Sequence, residues 1–128
     1  MNPLTTKLIF AGALFLFTLI SGVIVSHSGR PLNIWLVSVH KLIAIGTVVL
    51  VGVAINQLYK TAEGKVIVEI SLIIISGILS LALIATGALL TREEMQLPEI
   101  VLTIHKMTPL MALVSSTLTV YLLVRGNS

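Results

Sequence analysis

The chain has 128 residues, 56% of them apolar and 10% charged, with a net charge of +3 and no cysteine. Soluble domains carry about 25% charged residues, so this composition belongs to an integral membrane protein. Without cysteine there are no disulfides, no thiolate metal sites and no covalent CxxCH haem attachment, and the scattered cations form no basic stripe of the kind that binds nucleic acid.

The first apolar run extends from Leu8 to about Ser26, after Lys7 and before His27, Gly29, Arg30 and Pro31. It exceeds the roughly 7–15 residues of a signal-peptide core and has no convincing small-residue cleavage site, so it reads as a membrane span. A second run covers about 32–58, with Trp35 and Tyr59 where interfacial aromatics are expected. Lys60 to Lys65 form a polar turn before a third run at about 66–90, interrupted only by Glu69 close to its start. The next connection, Thr91 to Pro98, carries Arg92, Glu93 and Glu94, and the last run covers about 100–124 before Arg125.

Backbone groups in lipid must be satisfied within each segment, so all four runs are predicted to be helices. Four spans of about 20 residues fill the chain, which reads as a single transmembrane domain over residues 1–128. Short connections predict antiparallel neighbours and hence an all-α, up-down-up-down four-helix bundle. Lys7, Lys60, Lys65 and Arg125 lie on the face with both termini, against Arg30 and Arg92 on the other. This charge bias favours cytoplasmic termini in a plasma or inner membrane, although Lys41 and Lys106 would level the count by snorkelling to the opposite face.

Sliding the chain along itself by 65 positions places His40-Lys41 on His105-Lys106, Gly12 on Gly77, Ser21-Gly22 on Thr86-Gly87 and Lys60 on Arg125. Apolar composition alone nearly supplies the total of identities; the agreement among rarer residues carries the repeat. Each half is then a helix pair, the halves have the same orientation, and an axis along the membrane normal relates them. That axis carries His40 into His105 at one depth, about 9–13 Å below the outer surface at 1.5 Å per residue.

An ionisable residue at such depth marks a functional site by default. No carboxylate or cysteine lies near either histidine, and two imidazoles are too few for a zinc site. A haem iron needs only two axial ligands from the protein, and paired histidines are a known axial set. Helical side chains lean toward the helix N-terminus, which sends Lys41 and Lys106 toward the outer surface, within reach of haem propionates or lipid phosphates. Gly22 and Gly87, about one turn nearer that surface, leave room for a porphyrin edge. Pro109 cannot donate to the His105 carbonyl and is expected to loosen the last helix there.

This layout resembles the b-type membrane cytochromes, in particular cytochrome b of quinol-oxidising complexes. In that family histidines on the second and fourth helices hold haem and glycines on the first and third pack against it. The resemblance implies His40 and His105 as ligands of the iron of one noncovalent haem b, with Gly22 and Gly87 packing the ring. It also implies an electron carrier or oxidoreductase subunit that exchanges electrons with a quinol or a redox protein at the outer face. The family commonly has two histidines on each ligand helix. Here the positions 13 and 14 residues after each histidine are Val53, Ala54, Leu118 and Thr119, so one haem is expected and not two.

Against this stands a plainer reading: a cofactor-free membrane subunit or transporter component whose histidines act as helix glue, worth about 0.6 kcal/mol per contact, or as pH sensors. In the same vein the Gly12 and Gly77 pair reads as ordinary helix packing. The hydroxyls Ser115, Ser116, Thr117 and Thr119 read as bonded to their own backbone rather than lining a polar path. Glu69 reads as interfacial, and His27 as a solvated loop residue.

Overall fold

The computed structural model describes residues 1–64 and 66–126; Lys65, one of the residues in the charge bias, lies outside the described residues. Among the described residues there are four helices: α1 (Pro3–His27), α2 (Ile34–Thr61), α3 (Ile67–Leu90) and α4 (Glu99–Gly126). Their lengths of 24 to 28 residues correspond to about 36–42 Å, more than the roughly 30 Å of hydrocarbon in a bilayer. All four are long and apolar enough to cross a membrane, and the chain is an all-helical integral membrane protein.

The ends of the helices have local causes. The α1 helix begins at Pro3, before the apolar run, because the Asn2 side chain accepts from the Leu4 amide at 2.9 Å and proline at the first helical position needs no donor. Asn33 does the same for α2, accepting from the Trp35 and Leu36 amides. At the start of α3 the Glu69 carboxylate accepts from the Val66 amide at 3.3 Å, which holds this acidic side chain at the helix end. The α4 helix follows Pro98 and continues without a break through Pro109.

Packing is strongest within consecutive pairs, α1 with α2 and α3 with α4, and α2 also touches both α4 and α3. Within each pair early residues meet late ones, as in the contacts of Lys7 with Gln57 and Ser76 with Ser115, so both pairs are antiparallel. The exposed set is bulky and apolar, including Phe10, Phe17, Leu42, Ile67 and Leu81, while the buried set is mainly small or hydroxylated: Ala11, Thr47, Ala54, Ser76, Ala112, Ser115 and Thr119. Lipid is as apolar as leucine, so helices in it gain from close approach and interhelical hydrogen bonds rather than from hiding large side chains. Among the described residues a cluster of larger buried apolar side chains, Ile55, Leu58 and Leu123 with Ala62, lies toward the end of the molecule that holds the termini.

At the other end the two pairs are stitched together. Lys41 Nζ donates to Thr91 Oγ1 at 2.9 Å, the Leu32 amide donates to Glu93 Oε1 at 2.9 Å, and Arg30 donates to the Leu90 carbonyl at 3.3 Å. The connection after α1 is thereby held against the end of α3.

Candidate functional site

His40 and His105 each lie six residues beyond the first residue of their helix, about 9 Å along the axis. Both are half-buried. Each imidazole is turned onto the partner helix of its own pair. His40 Nδ1 lies 2.9 Å from Ser21 Oγ on α1, and His105 Nδ1 lies 2.8 Å from Thr86 Oγ1 on α3.

These two bonds fix more than position. A hydroxyl has one proton, and that of Ser21 is directed at the Thr18 carbonyl at 3.0 Å, that of Thr86 at the Ala82 carbonyl at 2.7 Å. The oxygen is then left to accept, so the imidazole donates through Nδ1–H. This arrangement makes two hydrogen bonds per site. The opposite tautomer would make one and leave an Nε2–H without an acceptor at membrane depth, where a stranded donor is costly. Nδ1–H is therefore the favoured state, and Nε2 carries a bare lone pair in both residues. Among the described residues no protein group bonds either Nε2, and no buried polar atom lacks a partner, so both lone pairs are accessible.

The glycines sit under the same rings. A Cβ built on Gly22 would come within 3.1 Å of His40 Cε1, and one on Gly87 within 3.1 Å of His105 Cε1. What the two glycines admit in this structure is the imidazole itself, with its Cε1 edge toward the neighbouring helix. A methyl there would require the ring to give by a few tenths of an ångström.

Lys41 reaches across to Thr91, while Lys106 is exposed. Gly12 and Gly77 differ from the expectation of helix packing: nothing lies within 4 Å of a Cβ on either. They face cavities instead. One of about 530 Å³ between α2 and α3 is lined by Val51, Gly52, Asn56, Ser76, Gly77 and Ser80. Another of about 200 Å³ beside α1 and α4 is lined by Leu8, Ala11, Gly12, Phe15, Leu113 and Thr117. No histidine lines either cavity.

Ser21 and Thr86 are the residues of this site that sequence reasoning missed. They are visible in the chain as the hydroxyl immediately before each repeat-related glycine, but a hydroxyl in an apolar helix reads by default as bonded to its own backbone. Both do bond their own backbone, and the second lone pair is what the histidine uses. Among the described residues no three His, Asp or Glu side chains gather as metal ligands, so the site offers two nitrogens and no more.

The chain matches no protein-family model, no curated protein and no solved structure.

Proposed function

We propose that the chain is an up-down-up-down bundle of two like-oriented helix pairs. In this reading it holds one noncovalent haem b between His40 and His105 and transfers electrons at the outer face of a cell membrane. The observation that carries the reading is the pair of half-buried imidazoles, each six residues into its helix, with Nδ1 beside a hydroxyl and Cε1 against a glycine. Orientation of a ligating histidine through its other ring nitrogen is the usual support for a metal-bound imidazole. The donor set fits the group, because an iron porphyrin asks the protein for two axial ligands.

The relation between the helix pairs is supported by the cavities. Shifting by 65 positions carries Leu8, Ala11, Gly12 and Phe15 onto Ile73, Ser76, Gly77 and Ser80, and Val51 onto Ser116. The first four of each set line separate cavities and Val51 and Ser116 line both, so the grooves correspond under the same shift. Phe15 stands where Ser80 stands in the other pair, which accounts for the smaller volume beside α1.

When bound, the haem supplies reversible one-electron exchange. In this reading the chain's own residues divide the work. His40 and His105 would hold the haem iron, and the group so held would supply electron transfer rather than oxygen activation. Lys41 and Lys106, one residue further on, place positive charge toward the outer surface, where propionates or lipid phosphates meet it. A quinol or a redox protein at that surface is the partner, and the termini are cytoplasmic.

The second reading, a cofactor-free membrane subunit with histidines as helix glue, is favoured by one observation. The same two bonds already tie α1 to α2 and α3 to α4 without any ligand. An oxidised-minus-reduced visible spectrum of protein expressed with haem separates the two. The cytochrome reading expects a sharp low-spin b-type signal that His40→Ala and His105→Ala each abolish or convert to high spin. A folded wild type that takes up no haem overturns it in favour of the second reading.

A further inference from the structure

We infer that Ser21 and Thr86 are positioning residues that select the Nδ1–H tautomer of His40 and His105 and relay each ring's hydrogen bond to a backbone carbonyl. Each Nε2 thereby becomes a stronger electron donor to a bound metal. The relay has two links in both places. His40 Nδ1–H donates to Ser21 Oγ, which donates to the Thr18 carbonyl. His105 Nδ1–H donates to Thr86 Oγ1, which donates to the Ala82 carbonyl at 2.7 Å, with the Leu83 carbonyl at 3.3 Å as a second acceptor.

Linked hydrogen bonds polarise one another, the more so at low dielectric. A hydroxyl that is giving its proton to a carbonyl accepts better than a free one, and the imidazole that donates to it gains negative character on the ring. That charge is felt at Nε2, where it favours the more highly charged state of a ligated metal. Removing one hydroxyl leaves the histidine in place over its glycine but loses both the tautomer preference and the charge. The tautomer part stands on the geometry alone, while the effect on a metal rests on the haem reading.

The first measurement uses the full chain in lipid nanodiscs, without haem and with ¹⁵N-labelled histidine, the third ring being assigned through His27→Gln. The wild-type ring spectrum is expected to show a protonated Nδ1 and a bare Nε2 for both His40 and His105. Ser21→Ala shifts the His40 ring alone toward the other tautomer, Thr86→Ala does so for His105 alone, and the hydroxyl-keeping swaps Ser21→Thr and Thr86→Ser leave the wild-type pattern. A protonated Nε2 in the wild type, which needs no variant to fold, overturns the inference. So does an unmoved His40 signal in Ser21→Ala.

The second measurement is a potentiometric titration of haem-loaded protein. The midpoint potential is expected to rise in Ser21→Ala and in Thr86→Ala while the low-spin spectrum is retained. An unchanged potential overturns the relay. Failure of the wild type to take up haem overturns the haem reading, and the ring spectra then decide the positioning role by themselves.

Discussion

The α1–α2 pair seats His40 on Gly22 with a hydroxyl contact of 2.9 Å, and the α3–α4 pair seats His105 on Gly87 with one of 2.8 Å. Deeper in the membrane the pairs differ. In the first, Thr18 and Thr47 bridge the helices at 2.9 Å, about one turn from Ser21. In the second, Ser76 and Ser115 bridge them at 2.7 Å, nearly three turns from Thr86. The residues matching each bridge in the other pair are Leu83 and Ala112, and Ala11 and Leu50, none of which has a hydroxyl.

The contrast has a physical reason. A hydroxyl bridge in lipid contributes about 0.6 kcal/mol at whichever turn it forms, so its place along the pair can vary. An imidazole seat needs a histidine, a hydroxyl and a glycine in fixed relation across two helices, and any one displaced undoes the others.

The largest effect expected is on ligation. If the proposed haem is held by the two histidines together, His40→Ala and His105→Ala, each alone, should remove its low-spin spectrum as completely as the double variant. If only one variant alters the spectrum, the two pairs are not equivalent and the comparison breaks.

Next come the seats themselves. Gly22→Ala and Gly87→Ala each place a methyl at 3.1 Å from a ring carbon, and overpacking of this kind costs about 1–3 kcal/mol. Equal losses of stability, measured by steric trapping of the two helix pairs, would sharpen the comparison; a loss in one pair only would break it. Gly12→Ala and Gly77→Ala meet open space and should leave stability nearly unchanged in the same assay. A loss at one glycine pair and none at the other is the discriminating result.

The smallest effects belong to the deeper bridges. Thr18→Ala and Ser76→Ala should each cost about 0.6 kcal/mol in the same assay and leave the haem spectrum unchanged. A spectral change in Thr18→Ala would mean that the bridge one turn away is part of the seat.

Much of the fold was legible in the chain. Four apolar runs became four helices, with starts displaced by more than one residue only where Asn2 or Asn33 supplied a cap. The histidines stood out because ionisable residues are rare in such runs, and the glycines because they recur at the same spacing. The roles of Ser21 and Thr86 were not legible, since their partners lie 19 residues away in sequence on another helix. Nor was the contact of Lys41 with Thr91, 50 residues on, or the open space beside Gly12 and Gly77. In each case the deciding neighbour comes from a different segment.

The sequence by itself determined the number and membrane setting of the helices. In lipid each backbone donor must find its acceptor a few residues away, so local composition is enough. Only the tertiary structure decided which way each imidazole turns and which of its nitrogens is bare. That choice depends on where a second helix places one hydroxyl oxygen, and no local rule specifies it.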